Sequence, residues 1–180
     1  MTKISCFISQ CQRYRWELNL NISESNKKLI FIGLNPSLSD TNYLDNTTKK
    51  IIRISKNHNY GNVKIINLFG LISKDPKILF HHKNPIGIHA NKTIIDSLNY
   101  WSSDIKCHIW MGWGNNGYLF NRNKYVYRLL KQYFCLKRNI FINPLGPLLI
   151  KKTKLNNPIH PLYCKDNSKL NQDYSLIKLE

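Results

Sequence analysis

Alanine is almost missing from this sequence of 180 residues, occurring once, at Ala90. Acidic residues are also scarce, with 10 Asp and Glu against 27 Lys and Arg and a formal charge of +17. The two shortages argue differently. A chain crowded with Asn, Lys and Ile and nearly free of Ala carries the mark of A/T-rich coding, which would produce a solvated basic surface with no partner. A deficit of acids instead favours contact with nucleic acid, DNA foremost, or with a nucleotide. Composition leaves both readings open.

Other absences narrow the class. No apolar run approaches the roughly 20 residues of a membrane span, and Met1 to Leu20 mixes charges and Gln through its apolar residues, unlike a signal peptide. The expectation is a soluble, cytoplasmic protein with no membrane partner. Five cysteines, an odd number with no Cys-x-x-Cys, suit free and mostly buried thiols in a reducing compartment. The pair His81-His82 has no further ligand group at metal spacing, so neither a metal nor a cofactor is expected. No Gly/Ser or Pro-rich linker and no internal repeat divides the chain, which reads as a single domain over 1–180 and is expected to be a monomer.

What is present is organised around Leu29-Ile30-Phe31-Ile32-Gly33-Leu34-Asn35-Pro36-Ser37. The unbroken apolar run predicts a strand buried on both faces, with Gly33 permitting a sharp turn at its end. Pro36 fixes its own φ and biases Asn35 away from the helical region, so Asn35 sits on a stiff loop at a strand tip. Such a loop is either an ordinary turn or a holder of chemistry. Val63 to Ile66 predicts a second strand that also ends in an asparagine, Asn67, followed by Leu68-Phe69-Gly70. Ile105 to Met111 predicts a third, closed by Gly112-Trp113-Gly114, and Asn139 to Ile142 a fourth.

Between the strands the apolar spacing predicts helices over Thr48–Asn57, Ile88–Trp101 and Asn121–Phe134, the first capped by Asp45, Asn46 or Thr47. Asp75-Pro76 opens a short helical turn. Arg13 to Leu18, alternating charge with aromatic, reads as an edge element. Alternating strands and helices give an α/β fold with a mainly parallel sheet, and in such sheets ligands bind outside the carboxyl ends of the strands. Asn35, Asn67, Trp113 and the segment after the fourth strand all fall at that edge. So does His160, held between Ile159 and Pro161 beyond a Lys-rich excursion, either as a satisfied structural residue or as a functional one. Basic clusters at Lys49-Lys50-Arg53, Arg122-Lys124-Arg128 and Lys151-Lys152-Lys154 are candidate phosphate contacts.

The pieces Arg13-Tyr14, Leu34-Asn35-Pro36-Ser37 with Asp40, Asp45-Asn46-Thr47, Asn67-Leu68-Phe69 with Asp75-Pro76, Asn84-Pro85-Ile86-Gly87, Trp113-Gly114, Arg122 and Pro158-Ile159-His160-Pro161-Leu162-Tyr163 together resemble the family called domain of unknown function 1643. Leu38, Ser39 and Asn46 depart from its usual pattern. That resemblance implies no activity. Gly33-Leu34-Asn35-Pro36, Asn67, Trp113-Gly114 and His160-Pro161 also resemble, in the same order, the loop motifs of the uracil-DNA glycosylase superfamily.

This second resemblance implies a three-layer sandwich with a four-stranded, mainly parallel sheet in the order 2-1-3-4, and a pocket that cleaves or modifies a base through its glycosidic bond. Asn35 would orient the attacking water and His160 would stabilise the departing base anion. Asn67 would read a pyrimidine edge, Phe69 or Tyr43 would stack on the base, and Pro36, Ser37 and Trp113 would complete the pocket. Asn143-Pro144, directly after the fourth strand, is the alternative to His160-Pro161 as the closing motif. A non-catalytic nucleic-acid or nucleotide binding module of the same fold remains the competing reading.

Overall fold

The structure is a computed structural model and describes residues 3–177. Among these residues seven strands form one mixed sheet: β1 (Lys3–Ile8), β2 (Arg15–Asn21), β3 (Lys28–Gly33), β4 (Asn62–Asn67), β5 (Cys107–Met111), β6 (Leu148–Leu149) and β7 (Asn171–Gln172). Their spatial order is β1-β2-β4-β3-β5-β6-β7. Pairing is parallel only along β4–β3–β5–β6, while β1, β2 and β7 extend the sheet through antiparallel ladders. The expected four-stranded sheet is therefore corrected to a seven-stranded mixed one. Arg13 to Leu18 is likewise no edge element, because β2 lies between β1 and β4.

The helices are α1 (Asn46–Asn57), α2 (Ile78–His81), α3 (Ala90–Ser103), α4 (Arg122–Ile140) and α5 (Tyr174–Ile177). None is long and apolar enough to cross a membrane. Alternation along the central strands sends side chains to two cores. Ile30, Ile32, Ile66, Ile109 and Met111 pack with Ile94, Leu98 and Trp101 of α3 and Leu130 and Phe134 of α4. Leu29, Phe31, Val63, Ile65 and Trp110 face Ile51 and Ile54 of α1. Helices thus cover both faces, as a parallel sheet buried on two sides requires.

No strand forms at Asn139–Ile142. Helix α4 continues through Ile140, and the last parallel strand is β6. The helix stays amphipathic beyond Phe134 because an inward position is filled by Lys137, which is fully buried. Its ammonium donates to the carbonyls of Trp101 and Asp104 at 2.7 Å and of Cys107 at 2.8 Å, so its three N–H groups meet three acceptors at the turn from α3 into β5. Burial lowers its pKa to about 8, which leaves it protonated at neutral pH and able to fill all three.

Candidate active site at the carboxyl edge of the sheet

A cavity of about 440 Å³ opens where β3 and β4 end and where the loops after β5 and around His160 meet. Phe31, Ile51, Ile65 and Trp113 make its apolar wall, and Asn35, Ser37, Asp45, Asn67 and His160 all line it. Separate stretches of sequence are gathered here for the reason the topology supplies: successive parallel strands end on the same edge. A second hollow of about 500 Å³, against Ile4, Leu20, Leu29 and Tyr100, lies where β3, β4 and β5 begin and has lysines but neither His nor carboxylate on its wall.

Asn35 is held by its amide nitrogen, which donates to the carbonyls of Ser73 (3.0 Å), Pro36 (3.2 Å) and Leu71 (3.5 Å). Three surrounding carbonyls decide which end of the amide is nitrogen. They leave Oδ1 as an acceptor that no donor reaches among the described residues. Asn67, the last residue of β4, has the opposite character: its side chain is 8% exposed and its Nδ2 is buried with no hydrogen-bond partner. An unpaired buried donor is costly, of the order of 1–3 kcal/mol, and Asn67 is a residue of the cavity wall.

Gly33 pairs with Asn67 in register, and a Cβ on Gly33 would fall 2.6 Å from Asn67 Oδ1. The glycine therefore makes room for this side chain rather than turning the chain, since its φ is not positive.

His160 enters from the far side of the cavity. Its Nδ1 accepts the Leu162 N–H at 3.4 Å, so the neutral ring carries its proton on Nε2 as a donor. Burial lowers its pKa from 6.5, against an opposing pull from Asp45, so it is neutral at pH 7. Asp45 is the carboxylate of the cavity wall. Its Oδ1 caps α1 by accepting the Thr48 N–H at 2.7 Å, and its own N–H donates to Ser39 Oγ at 2.8 Å. Arg15, also on the wall, is buried, donates to the Ser39 carbonyl and leaves Nε without a partner.

Asp45 was legible in the sequence only as a helix cap, and Arg15 and Lys74 carried no signal as cavity residues. Both Arg15 and Lys74 line it.

Other expected positions fall elsewhere. Phe69 is fully buried in the core, edge-on to Phe120 at 6.1 Å, and cannot stack on a ligand in the cavity. Tyr43 is exposed, with the Lys49 ammonium 5.8 Å from its ring centre, and is not on the cavity wall. Pro36 lies behind the wall, its carbonyl accepting the Ser73 N–H at 2.9 Å. Asn143 is exposed at a left-handed φ of 49° in the segment leading into β6, away from the cavity. Of the two closing motifs, the one brought to the cavity is His160-Pro161.

The basic residues divide just as sharply. Arg122 is 4% exposed and donates to the Leu68 carbonyl at 2.9 Å and to Asn91 Oδ1 at 2.7 Å, so it is not free for a phosphate. Lys50 and Arg53 share Asp166, at 2.6 and 2.9 Å. Lys152 is paired with Asp173 at 3.0 Å. Lys49, Lys151 and Lys154 are exposed and, among the described residues, have no carboxylate partner.

The cavity thus offers a free acceptor on Asn35, an unpaired donor on Asn67, a neutral imidazole N–H and a carboxylate, set against aromatic and aliphatic walls. That set suits a flat, hydrogen-bonding heterocycle. Among the described residues no three His, Cys, Asp or Glu side chains gather as metal ligands. No curated protein and no solved structure matches the chain. Residues 15–162 match the model of the family described as a protein of unknown function, DUF1643, and the chain belongs to that family.

Proposed function

We propose that the protein takes a nucleobase, presented by a nucleic acid or nucleotide, into this cavity and hydrolyses its glycosidic bond, acting as a cytoplasmic monomer. On this reading the sheet is an elaborated uracil-DNA glycosylase sandwich, with β1, β2 and β7 added to the parallel run β4–β3–β5–β6. The observation that carries the proposal is Asn67: a buried amide donor with no protein partner, on the wall shared with Asn35 and His160.

Asn67 Nδ2 would donate to a base carbonyl, which fills the vacancy in its hydrogen bonding. Asn35 Oδ1 would accept from the attacking water, and Asp45 would take the proton that water loses or balance the positive charge developing on the sugar. The bond from C1′ to the base nitrogen breaks as the water oxygen bonds to C1′, and the electron pair leaves with the base. The Nε2–H of neutral His160 would hydrogen-bond the resulting anion without first having to lose a proton.

The test is single-turnover incubation with oligonucleotides carrying uracil, mismatched thymine or modified pyrimidines, followed by detection of abasic sites. Asn35→Ala and His160→Ala are each expected to slow base release by about a hundredfold with nucleic-acid affinity nearly unchanged. Asn67→Ala should slow release and also relax discrimination between bases. Binding with no base released from any of these substrates would make the cavity that of a binding module.

A further inference from the structure

Beside the cavity runs a second groove, of about 450 Å³, lined by Lys151, Lys154, Gly114, Asn115, His160 and Tyr163. Four of these, Gly114, Asn115, His160 and Tyr163, also line the cavity, so the two hollows are adjacent and share the imidazole as a common wall. The lysines stand on a rigid support. Residues 151–159 form a hairpin in which the Ile159 N–H donates to the Lys151 carbonyl at 3.0 Å and the Thr153 N–H to the Asn157 carbonyl at 2.8 Å. Thr153 Oγ1 donates to Asn115 Oδ1 at 2.6 Å, tying the hairpin to the loop after β5. Lys151 lies on one arm of the hairpin and Lys154 in its turn, and the other arm leads directly into His160, so the backbone that carries both lysines is fixed relative to the cavity.

Two features of this groove occur together. Lys151 and Lys154, like Lys49, have no carboxylate partner among the described residues, whereas Lys50, Arg53 and Lys152 are neutralised by Asp166 and Asp173, and the two free cations line a groove that shares residues with the cavity. The aromatic ring at its margin, Tyr163, is 78% exposed, far more than packing would leave. At Gly114, whose φ is +71°, an added Cβ would meet only the Cβ of His160, at 3.7 Å, so a polymer backbone can approach the main chain there.

We propose that this groove binds a single-stranded nucleic-acid segment, with Lys151 and Lys154 on consecutive phosphates and Tyr163 stacked on the base next to the one in the cavity. Free cations beside an uncovered aromatic face are the combination that binds single strands, and a duplex keeps its base faces inside its own stack, where Tyr163 cannot reach them. The proposal deepens the base-cavity reading and rests on it for the class of ligand, but not on any hydrolysis.

The experiment is fluorescence anisotropy with a labelled oligothymidylate of about 12 nucleotides, a length within the usual span of such sites, against a blunt duplex of equal length over a salt series. Tighter binding of the single strand is expected. The double variant Lys151→Glu, Lys154→Glu should weaken it by tenfold or more and flatten the salt slope by about 1.4, from roughly 0.7 per phosphate contact. Tyr163→Ala should weaken it about tenfold and leave the slope alone. Lys106→Glu with Lys131→Glu, at exposed positions on the turn into β5 and on α4, changes the net charge equally and should have under a twofold effect.

Equal loss in this control pair would reduce the effect to net charge and overturn the proposal, as would preference for the duplex, silence of both groove variants, or no binding by the parent. Base release that persists with the groove variants silent would sink the groove alone. Groove-dependent binding without base release would sink the hydrolytic reading alone.

Discussion

The two ends of the parallel sheet are built from the same strands and treat their polar groups in opposite ways. At the amino end, where β5 begins, the Lys137 ammonium meets three carbonyls, Lys28 pairs with Asp104 at 2.8 Å, and buried Tyr60 hydrogen-bonds His108 Nδ1 at 2.8 Å, with the indole N–H of Trp101 the exception left without a partner there. At the carboxyl end, Asn67 Nδ2, Arg15 Nε and Trp113 Nε1 are buried around the cavity without partners. An end whose polar groups are matched adds stability and specifies the fold. An end whose groups are left open gives up stability that a ligand can restore. On the proposed reading, folding rests mainly on one edge and recognition on the other.

The strongest challenge to that division is Lys137→Met. It removes the charge, keeps much of the stem's volume and orphans three buried carbonyls, and it should lower unfolding free energy by roughly 4 kcal/mol, read by urea denaturation, without altering ligand affinity in the folded fraction. A loss near zero would mean that the amino end is not where matched polar groups secure the fold.

His108 gives the next largest effect. Burial lowers its pKa from 6.5 to about 4, so the unfolded chain takes up its proton first as the pH drops. The stability present above pH 6.5 is then lost progressively down to about pH 4, by on the order of 3 kcal/mol from this residue. His108→Gln should remove most of that slope in chemical denaturation across the same range. An unchanged slope would place the acid sensitivity elsewhere.

The smallest effect sharpens the comparison most. Asn67→Ala deletes a donor that no protein group satisfies, so stability should stay within about 0.5 kcal/mol of the parent or rise, even as recognition fails. A thermal melt showing clear destabilisation would mean that the side chain is structural after all.

Much of the architecture was legible because its signals are local. The apolar runs of β3, β4 and β5, and the Asp45 cap of α1, are set by nearest neighbours in sequence. The meeting of Asn35, Asn67 and Trp113 followed from strand order, since parallel strands deliver their tips to one edge, whereas His160 was singled out by its chemistry and not by a strand, the one expected at Asn139–Ile142 being helix and loop. What was not legible depends on partners far along the chain. Lys137 disguised the last turns of α4, because a lysine at an inward position breaks the apolar period unless its carbonyl partners at 101, 104 and 107 are known. Arg122 looked like a phosphate ligand for the same reason. Lys50 and Arg53 are neutralised by Asp166, more than a hundred residues later. Phe69 could not be assigned to core or cavity, because residues just past a strand's end no longer follow its alternation.

The contact between Gly33 and Asn67 also limits the order in which the two positions can change. A methyl group at 33 would fall 2.6 Å from Oδ1 of Asn67 and 3.0 Å from a ring carbon of Phe31, so shortening position 67 removes the harder of two clashes against Gly33→Ala. A chain that has lost Asn67 tolerates Ala at 33 with only a small shift of the Phe31 ring. Having changed there, it meets the full clash if the asparagine returns, which makes loss of this side chain easier than its recovery.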